Sequence, residues 1–212
     1  MVDDKPTPLQ KRILVTVYCN SLIYSETDLA GLAKDHLLDT DVVENICQEM
    51  EVRGLIQRVS DNYSITEKGR SVIKVVMAGG VFDIIHPGHV FTLSSSRKMG
   101  DALVVSVARD KTVISIKEHD PLNSEDQRIN LVNSLKSVDI AILGSEKNIF
   151  DTVERVRPDI IALGHDQKHD DKLVEDGASK RGVSLKVVRI RSPIPDIKTS
   201  TILKDHTKTE EF

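Results

Sequence analysis

From Lys74 onward, short apolar runs alternate with stretches of helical spacing, and few folds satisfy that pattern. The runs are Val75–Ala78, Ala102–Ala108, Asp139–Leu143, Asp159–Leu163 and Leu185–Ile190. Strands this short and this continuously apolar need cover on both faces, which the helices of a parallel sheet supply. Helices are expected near His89–Met99, Ser124–Leu135, Ile149–Val156 and Asp171–Arg181, with a last one from Thr199. Ser124 followed by Gln127 fits a capping box, and Gly100 and Gly182 stand where helices should stop. Strict alternation implies right-handed crossovers, and hence an α/β domain: a Rossmann-like doubly wound sheet of five parallel strands. In such sheets ligands bind beyond the carboxyl ends of the strands, so function is sought there.

The segment before it has a different period. Leu9, Ile13, Leu14 and Val17 recur at helical spacing. A second helix is read over Glu26–His36, and a third after Asp39 or Thr40 with Val42, Val43, Ile46 and Met50 on one face. Gly54 ends the third helix. Leu55–Val59 and Tyr63–Thr66 then alternate like two strands about a Ser60-Asp61-Asn62 turn, and Thr66-Glu67-Lys68-Gly69 opens another helix. Three helices and a hairpin resemble a winged helix-turn-helix domain, which divides the chain into residues 1–73 and 74–212. In many prokaryotic regulators the third helix of such a domain reads DNA. Here residues 1–72 hold 8 Lys and Arg against 12 Asp and Glu, and the third helix carries Asp41, Glu44, Glu49 and Glu51 with only Arg53 opposing them. Phosphate contacts need the reverse, so a structural, dimerising or partner-binding role is favoured over DNA, with both left open.

The whole chain carries a formal net charge of −4 and 3% aromatics with no Trp, which provides neither a basic footprint nor stacking platforms for nucleic acid. Cys19 and Cys47 lie far apart without metal-ligand spacing, so neither a disulfide framework nor a zinc site is indicated. The opening Met-Val-Asp-Asp-Lys-Pro lacks an export signal and no run approaches a membrane span, so a soluble, cytoplasmic protein is expected.

Chemistry gathers after the first of the five strands, in Gly79-Gly80-Val81-Phe82-Asp83-Ile84-Ile85-His86-Pro87-Gly88-His89. Glycines at a strand end let the backbone approach a phosphate, and the following helix offers unpaired N–H groups and a positive dipole end. Two imidazoles three residues apart at that helix start can aim N–H donors at one phosphate chain, where charge develops as pyrophosphate leaves.

This run resembles the HxGH signature of the cytidylyltransferase-like nucleotidyltransferases. The group includes glycerol-phosphate and phosphocholine cytidylyltransferases and the archaeal FAD synthases. The likeness covers about Lys74 to His206. It implies that His86 and His89 contact the triphosphate together with a Ser/Thr-rich helix start, matched here by Thr199, Ser200 and Thr201. It further implies that Gly79, Gly80, Val81, Phe82 and Asp83 form the nucleotide-binding turn, with Asp83 holding the loop. Arg128 is implied as a phosphate-contacting cation, Lys117 as a lysine beside the α-phosphate, and Gly164 and Asp166 as the rim where the base lies. An always-charged planar donor and a flexible ammonium suit the first two tasks. Where relatives carry further basic residues after the lysine, this chain has Glu118-His119-Asp120-Pro121. His165, Asp166, His169 and Asp170 are read as a solvated loop, with no metal site assigned.

Asp166-Gln167, together with Val107–Val113 and Ser137–Gly144, resembles the archaeal FAD synthase pattern more than the cytidylyltransferase one. The implied reaction is transfer of a nucleoside monophosphate to a phosphorylated acceptor, favouring ATP and FMN, with a magnesium ion bridging the phosphates. Alternatives are a CTP-dependent enzyme acting on glycerol phosphate or another polyol phosphate, and a regulator that senses a nucleotide without turnover. A homodimer is left open.

Overall fold

The computed structural model describes residues 5–23, 27–164, 167 and 169–191. Two compact units divide the chain, Met1–Lys74 and Val75–Phe212.

In the first unit the order is α1 (Pro8–Ser21), β1 (Thr27–Asp28), α2 (Leu29–His36), α3 (Thr40–Val52), β2 (Ile56–Val59), β3 (Asn62–Ile65) and α4 (Glu67–Ser71). Thr7 and Gln10 close a capping box on α1, with Pro8 in the first turn. The second helix starts three residues later than its spacing suggests. Asp28 takes the cap position, accepting from the Gly31 N–H at 2.6 Å, while Thr27 and Asp28 pair with Tyr63 and Asn62. Gly54 follows α3 in a left-handed conformation (φ 68°), as its place after the helix requires. The sheet is antiparallel, β1-β3-β2, and Ile13, Leu14, Leu32, Val43, Cys47, Met50, Leu55 and Tyr63 are buried.

The second unit runs β4 (Val75–Gly80), α5 (Pro87–Arg97), β5 (Ala102–Val107), α6 (Asp110–Lys117), α7 (Glu125–Asn133), β6 (Ile140–Leu143), α8 (Ile149–Val156), β7 (Ile160–Gly164), α9 (Asp171–Ser179) and β8 (Lys186–Ile190). All five strands are parallel, in the order β6-β5-β4-β7-β8. The chain winds outward from β4 through β5 and β6, then returns to the other side of β4 with β7 and β8. This reversal makes the gap between β4 and β7 the topological switch point. Val76, Ala78, Leu103, Val105, Ala141 and Ala162 pack with Phe82, Leu93 and Val132 in one apolar cluster. At the amino ends of the strands, Asp139 and Asp159 accept from the backbone N–H groups of Leu103 and Val75 at 2.7 Å each.

Two details bear on the site. The capping box of Ser124 and Gln127 opens α7. The helix α6, which spacing did not reveal, is seeded by Asp110 and ends at Glu118 in a left-handed conformation (φ 61°). The expected helix from Thr199 lies outside the described residues.

Candidate active site

The glycine turn leaves the sheet at the switch point. Gly80 O accepts from the Ala108 N–H at 2.9 Å, so the turn starts from a fixed strand end. A Cβ on Gly80 would stand 3.0 Å from the Phe82 ring, so the absence of a side chain there lets that ring fold back beneath the strand. Phe82 itself is left-handed (φ 55°), a conformation that costs a residue with a side chain on the order of 1–3 kcal/mol. Burial of the ring in the core offsets that cost, since only 4% of the residue is exposed.

Asp83 points inward. Its carboxylate accepts from the backbone N–H groups of Leu122 (3.0 Å) and Asn123 (2.9 Å), while Asn123 Nδ2 donates to the Asp83 carbonyl at 2.6 Å. The turn is thereby stitched to the α6–α7 connection. Arg128 adds a second stitch. With none of its surface exposed, it donates from Nη1 to Val81 O (2.6 Å), from Nε to Asn123 O (3.0 Å) and from Nη2 to Asp110 Oδ1 (2.6 Å). A phosphate reaches this guanidinium only if the brace opens. Asp110 and Glu125 clasp one another, each carboxylate accepting the other's backbone N–H (2.8 and 3.2 Å), and Arg109 donates to Glu125 at 3.0 Å.

His86 caps α5 in extended conformation with Pro87 in the first helical position, so helical φ is preset immediately after the imidazole. Its carbonyl accepts from the His89 and Val90 N–H groups at 2.9 and 3.2 Å. The two rings are stacked, centroids 3.8 Å apart and 26° from parallel, and Phe82 lies 5.1 Å from the His89 ring on a tilted plane. One short loop therefore places two imidazoles together at the amino end of an eleven-residue helix, where the helix dipole presents its positive end.

Gly79, Gly80, Val81, Phe82, Asp83, His86, His89 and Arg128 thus come together at the end of β4, and Gly164 ends the neighbouring β7. Lys117 is exposed in the last turn of α6, and its side chain makes no hydrogen bond or ion pair with the described residues. Asp166, Thr199, Ser200 and Thr201 lie outside the described residues. Spacing gave no role to Asn123, Asp110 or Glu125, whose parts depend on which loops meet in space. Gln167 also went unassigned: its side chain joins Gly79 O (2.7 Å) to Gly164 N (3.1 Å). Among the described residues no three His, Cys, Asp or Glu side chains gather in a way that could hold a metal ion.

Comparison with known proteins gives several matches. A family model described as cytidylyltransferase-like matches residues 77–205. The chain is 57% identical over 116 residues to the FAD synthase of Aciduliprofundum boonei, covering 55% of this chain and 77% of that protein. It is 45% identical over 135 residues to the FAD synthase of Methanosarcina mazei, covering 63% and 88% respectively. For the FAD synthase of Ferroglobus placidus the identity is 49% over 120 residues, covering 57% and 78%. Among solved structures, a protein described as the lipopolysaccharide core biosynthesis protein of Thermoplasma volcanium superposes with a TM-score of 0.54 at 47% identity, covering 56% of this chain and 96% of that one.

Proposed function

The chain belongs to the cytidylyltransferase-like family, whose model spans 77–205, and from that premise we infer that it is a nucleotidyltransferase of the FMN adenylyltransferase kind, an FAD synthase. The observation that carries the choice of substrates is the 57% identity to an FAD synthase over 116 residues, 77% of that protein's length. An FMN phosphate oxygen attacks the α-phosphorus of ATP, the bond from that phosphorus to the bridging oxygen breaks, and pyrophosphate leaves as FAD forms. No protein nucleophile is needed, so the chain contributes position and charge stabilisation.

The geometry and the family resemblance support the following parts. Gly79 and Gly80 let backbone approach the triphosphate, and the amino end of α5 turns the positive end of its dipole toward it. His86 and His89 donate to the oxygens that gain charge as pyrophosphate departs. Asp83 and Arg128 hold the turn in register with the α6–α7 connection, and Lys117, exposed on its helix end, is free to swing toward the α-phosphate. Asp166 and Thr199, Ser200 and Thr201 are assigned to the base rim and the triphosphate on family resemblance. The described residues provide no cluster for a resident metal, and the Asp83 carboxylate is already engaged with backbone. Magnesium bound with the nucleotide would supply charge neutralisation at its phosphates, since this cation usually keeps several waters and binds through substrate phosphates.

The first unit is read as a winged helix, on the strength of three helices and a β2–β3 hairpin. Its acidic α3, with Asp41, Glu44, Glu49 and Glu51, suits a protein partner or a second copy better than DNA. Among the described residues no helix is long and apolar enough to cross a membrane, and Cys19 and Cys47 are both buried and unbridged.

The test is pyrophosphate release from purified protein with magnesium, offering ATP or CTP against FMN and glycerol phosphate. Product from ATP with FMN alone supports the reading. Turnover of CTP with glycerol phosphate reassigns the substrates, and no turnover with any pair overturns the enzyme.

A further inference from the structure

β4 and β7 pair in register only from Val76↔Ile160 to Ala78↔Ala162. Beyond that rung each strand continues with its other neighbour, β4 with β5 as far as Gly80↔Val107 and β7 with β8 as far as Gly164↔Ile190. Gly79 and Gly80 therefore part from Leu163 and Gly164 without a shared ladder. A fork at the switch point is where a ligand enters such a sheet, and it leaves peptide groups on its inner edges that need partners.

The Gln167 side chain meets that need. Its Nε2 donates to Gly79 O over 2.7 Å, and its Oε1 accepts from the Gly164 N–H over 3.1 Å. The amide has only one workable orientation, because a carbonyl can only accept and a backbone N–H can only donate. Gln167 is itself held by backbone: its N–H donates to Gly164 O at 3.2 Å, and its carbonyl accepts from Arg189 Nη1 at 2.8 Å. Arg189 in turn is ion-paired with Asp171 at 2.7 Å.

Resting on the nucleotidyl-transfer reading above, we propose that Gln167 is a positioning residue whose side-chain amide acts as a substitute rung across the fork, setting the distance between the glycine turn and the end of β7. The ladder from Val76 to Ala78 holds the two strands together without it, so the bridge matters less for keeping the sheet than for fixing the gap. Displacement of a reacting group by about 1 Å can cost about 10²-fold in rate, so an error in that gap is felt at the α-phosphorus.

Two substitutions test this. Gln167→Leu removes both hydrogen bonds while keeping bulk. It is expected to lower kcat/KM for ATP by about 10- to 100-fold and to weaken binding of ATP alone by calorimetry, with the KM for FMN changed less than twofold. Gln167→Glu keeps the acceptor for Gly164 but turns a carboxylate oxygen on Gly79 O. Protonation restores a donor there, and crowding against the carbonyl raises the carboxyl pKa, so activity relative to wild type should climb from about pH 8 to about pH 5.5. A merely structural role would lower the melting temperature without that pH-dependent rescue. The proposal is overturned if Gln167→Leu keeps wild-type ATP binding and kcat/KM, or if the Gln167→Glu ratio is flat with pH. Wild-type protein that binds ATP yet makes no FAD sinks the substrate reading alone, because the calorimetric arm still decides Gln167. Wild-type protein that binds no ATP removes both.

Discussion

Arg128 donates from Nη2 to Asp110 Oδ1 over 2.6 Å, the arginine side chain wholly buried and the aspartate about one-third exposed. The pair joins α7 to the start of α6, and the same guanidinium reaches Val81 O in the turn. Arg128→Met should leave Asp110, Val81 O and Asn123 O short of a donor. The expected loss of stability is about 2–4 kcal/mol, somewhat below the range for a fully buried broken pair because water still reaches Asp110. Urea denaturation followed by circular dichroism measures it, and a loss below about 1 kcal/mol would show that the brace is dispensable.

The stacked imidazoles at the start of α5 make His89 the sharpest test of the chemistry. His89→Ala is expected to lower kcat by about 10²- to 10³-fold, the usual effect of deleting one donor to a developing oxyanion. Steady-state pyrophosphate release, checked against an unchanged circular dichroism spectrum, gives the answer. Near-wild-type kcat in a folded variant would be inconsistent with the assigned role.

His36 carries a pH prediction for the first unit. Burial is the largest influence pushing its imidazole below the usual 6.5, Arg12 pushes it the same way and Asp35 opposes them; Nε2 lies 3.0 Å from Thr16 Oγ1. A group whose folded-state pKa is depressed binds fewer protons folded than unfolded. Its contribution is therefore present above pH 6.5 and lost as pH falls through the folded value. All three tyrosines, Tyr18, Tyr24 and Tyr63, fall in this unit and the chain has no Trp, so tyrosine fluorescence follows its unfolding selectively. The midpoint in urea should drop between about pH 7 and about pH 5, and His36→Gln should flatten that slope. An equal slope in both proteins would rule His36 out as its source.

Gly69 faces a steric limit of another kind. A Cβ placed there would lie 1.9 Å from Leu55 O, and that carbonyl also accepts from the Thr66 N–H and hydroxyl at 3.2 and 3.0 Å. Backbone held in this way yields little, so Gly69→Ala should destabilise the first unit by about 1–3 kcal/mol, at the level typical of overpacking. Tyrosine-monitored melting is again the measurement, and an unchanged midpoint would mean that α4 can shift.

How far the sequence was legible depended on whether a feature was local. The apolar runs disclosed all five parallel strands, and Ser124 with Gln127 disclosed a helix start, since both patterns are complete within a few residues. The stretch Thr112-Val113-Ile114-Ser115-Ile116 did not disclose α6, because β-branched residues lower helix propensity. What makes it helical is tertiary: Asp110 is clamped by Arg128 and by the Glu125 N–H, and Val113 is buried. The second helix was read three residues too early because Glu26 fits a first turn, whereas pairing of Thr27 with Tyr63 draws that segment into the sheet. At the site, glycines and histidines announced themselves by type and spacing. The residue type of Arg128 points toward a phosphate, while the brace it forms joins partners 5 (Asn123), 18 (Asp110) and 47 (Val81) residues away in sequence. Gln167 bridges 88 residues to Gly79, and no local pattern carries such information.

The loop with the two histidines is tied down at several points: Gly80 through Ala108, Val81 through Arg128, Asp83 through Leu122 and Asn123, and Phe82 through the core. A segment so constrained has already given up most of its conformational entropy before any nucleotide arrives. Binding then forfeits little further freedom in this loop, and the affinity gained from its N–H donors is preserved rather than consumed in ordering them. Residues 79–89 are accordingly the part of the site that free and nucleotide-bound protein should share almost unchanged.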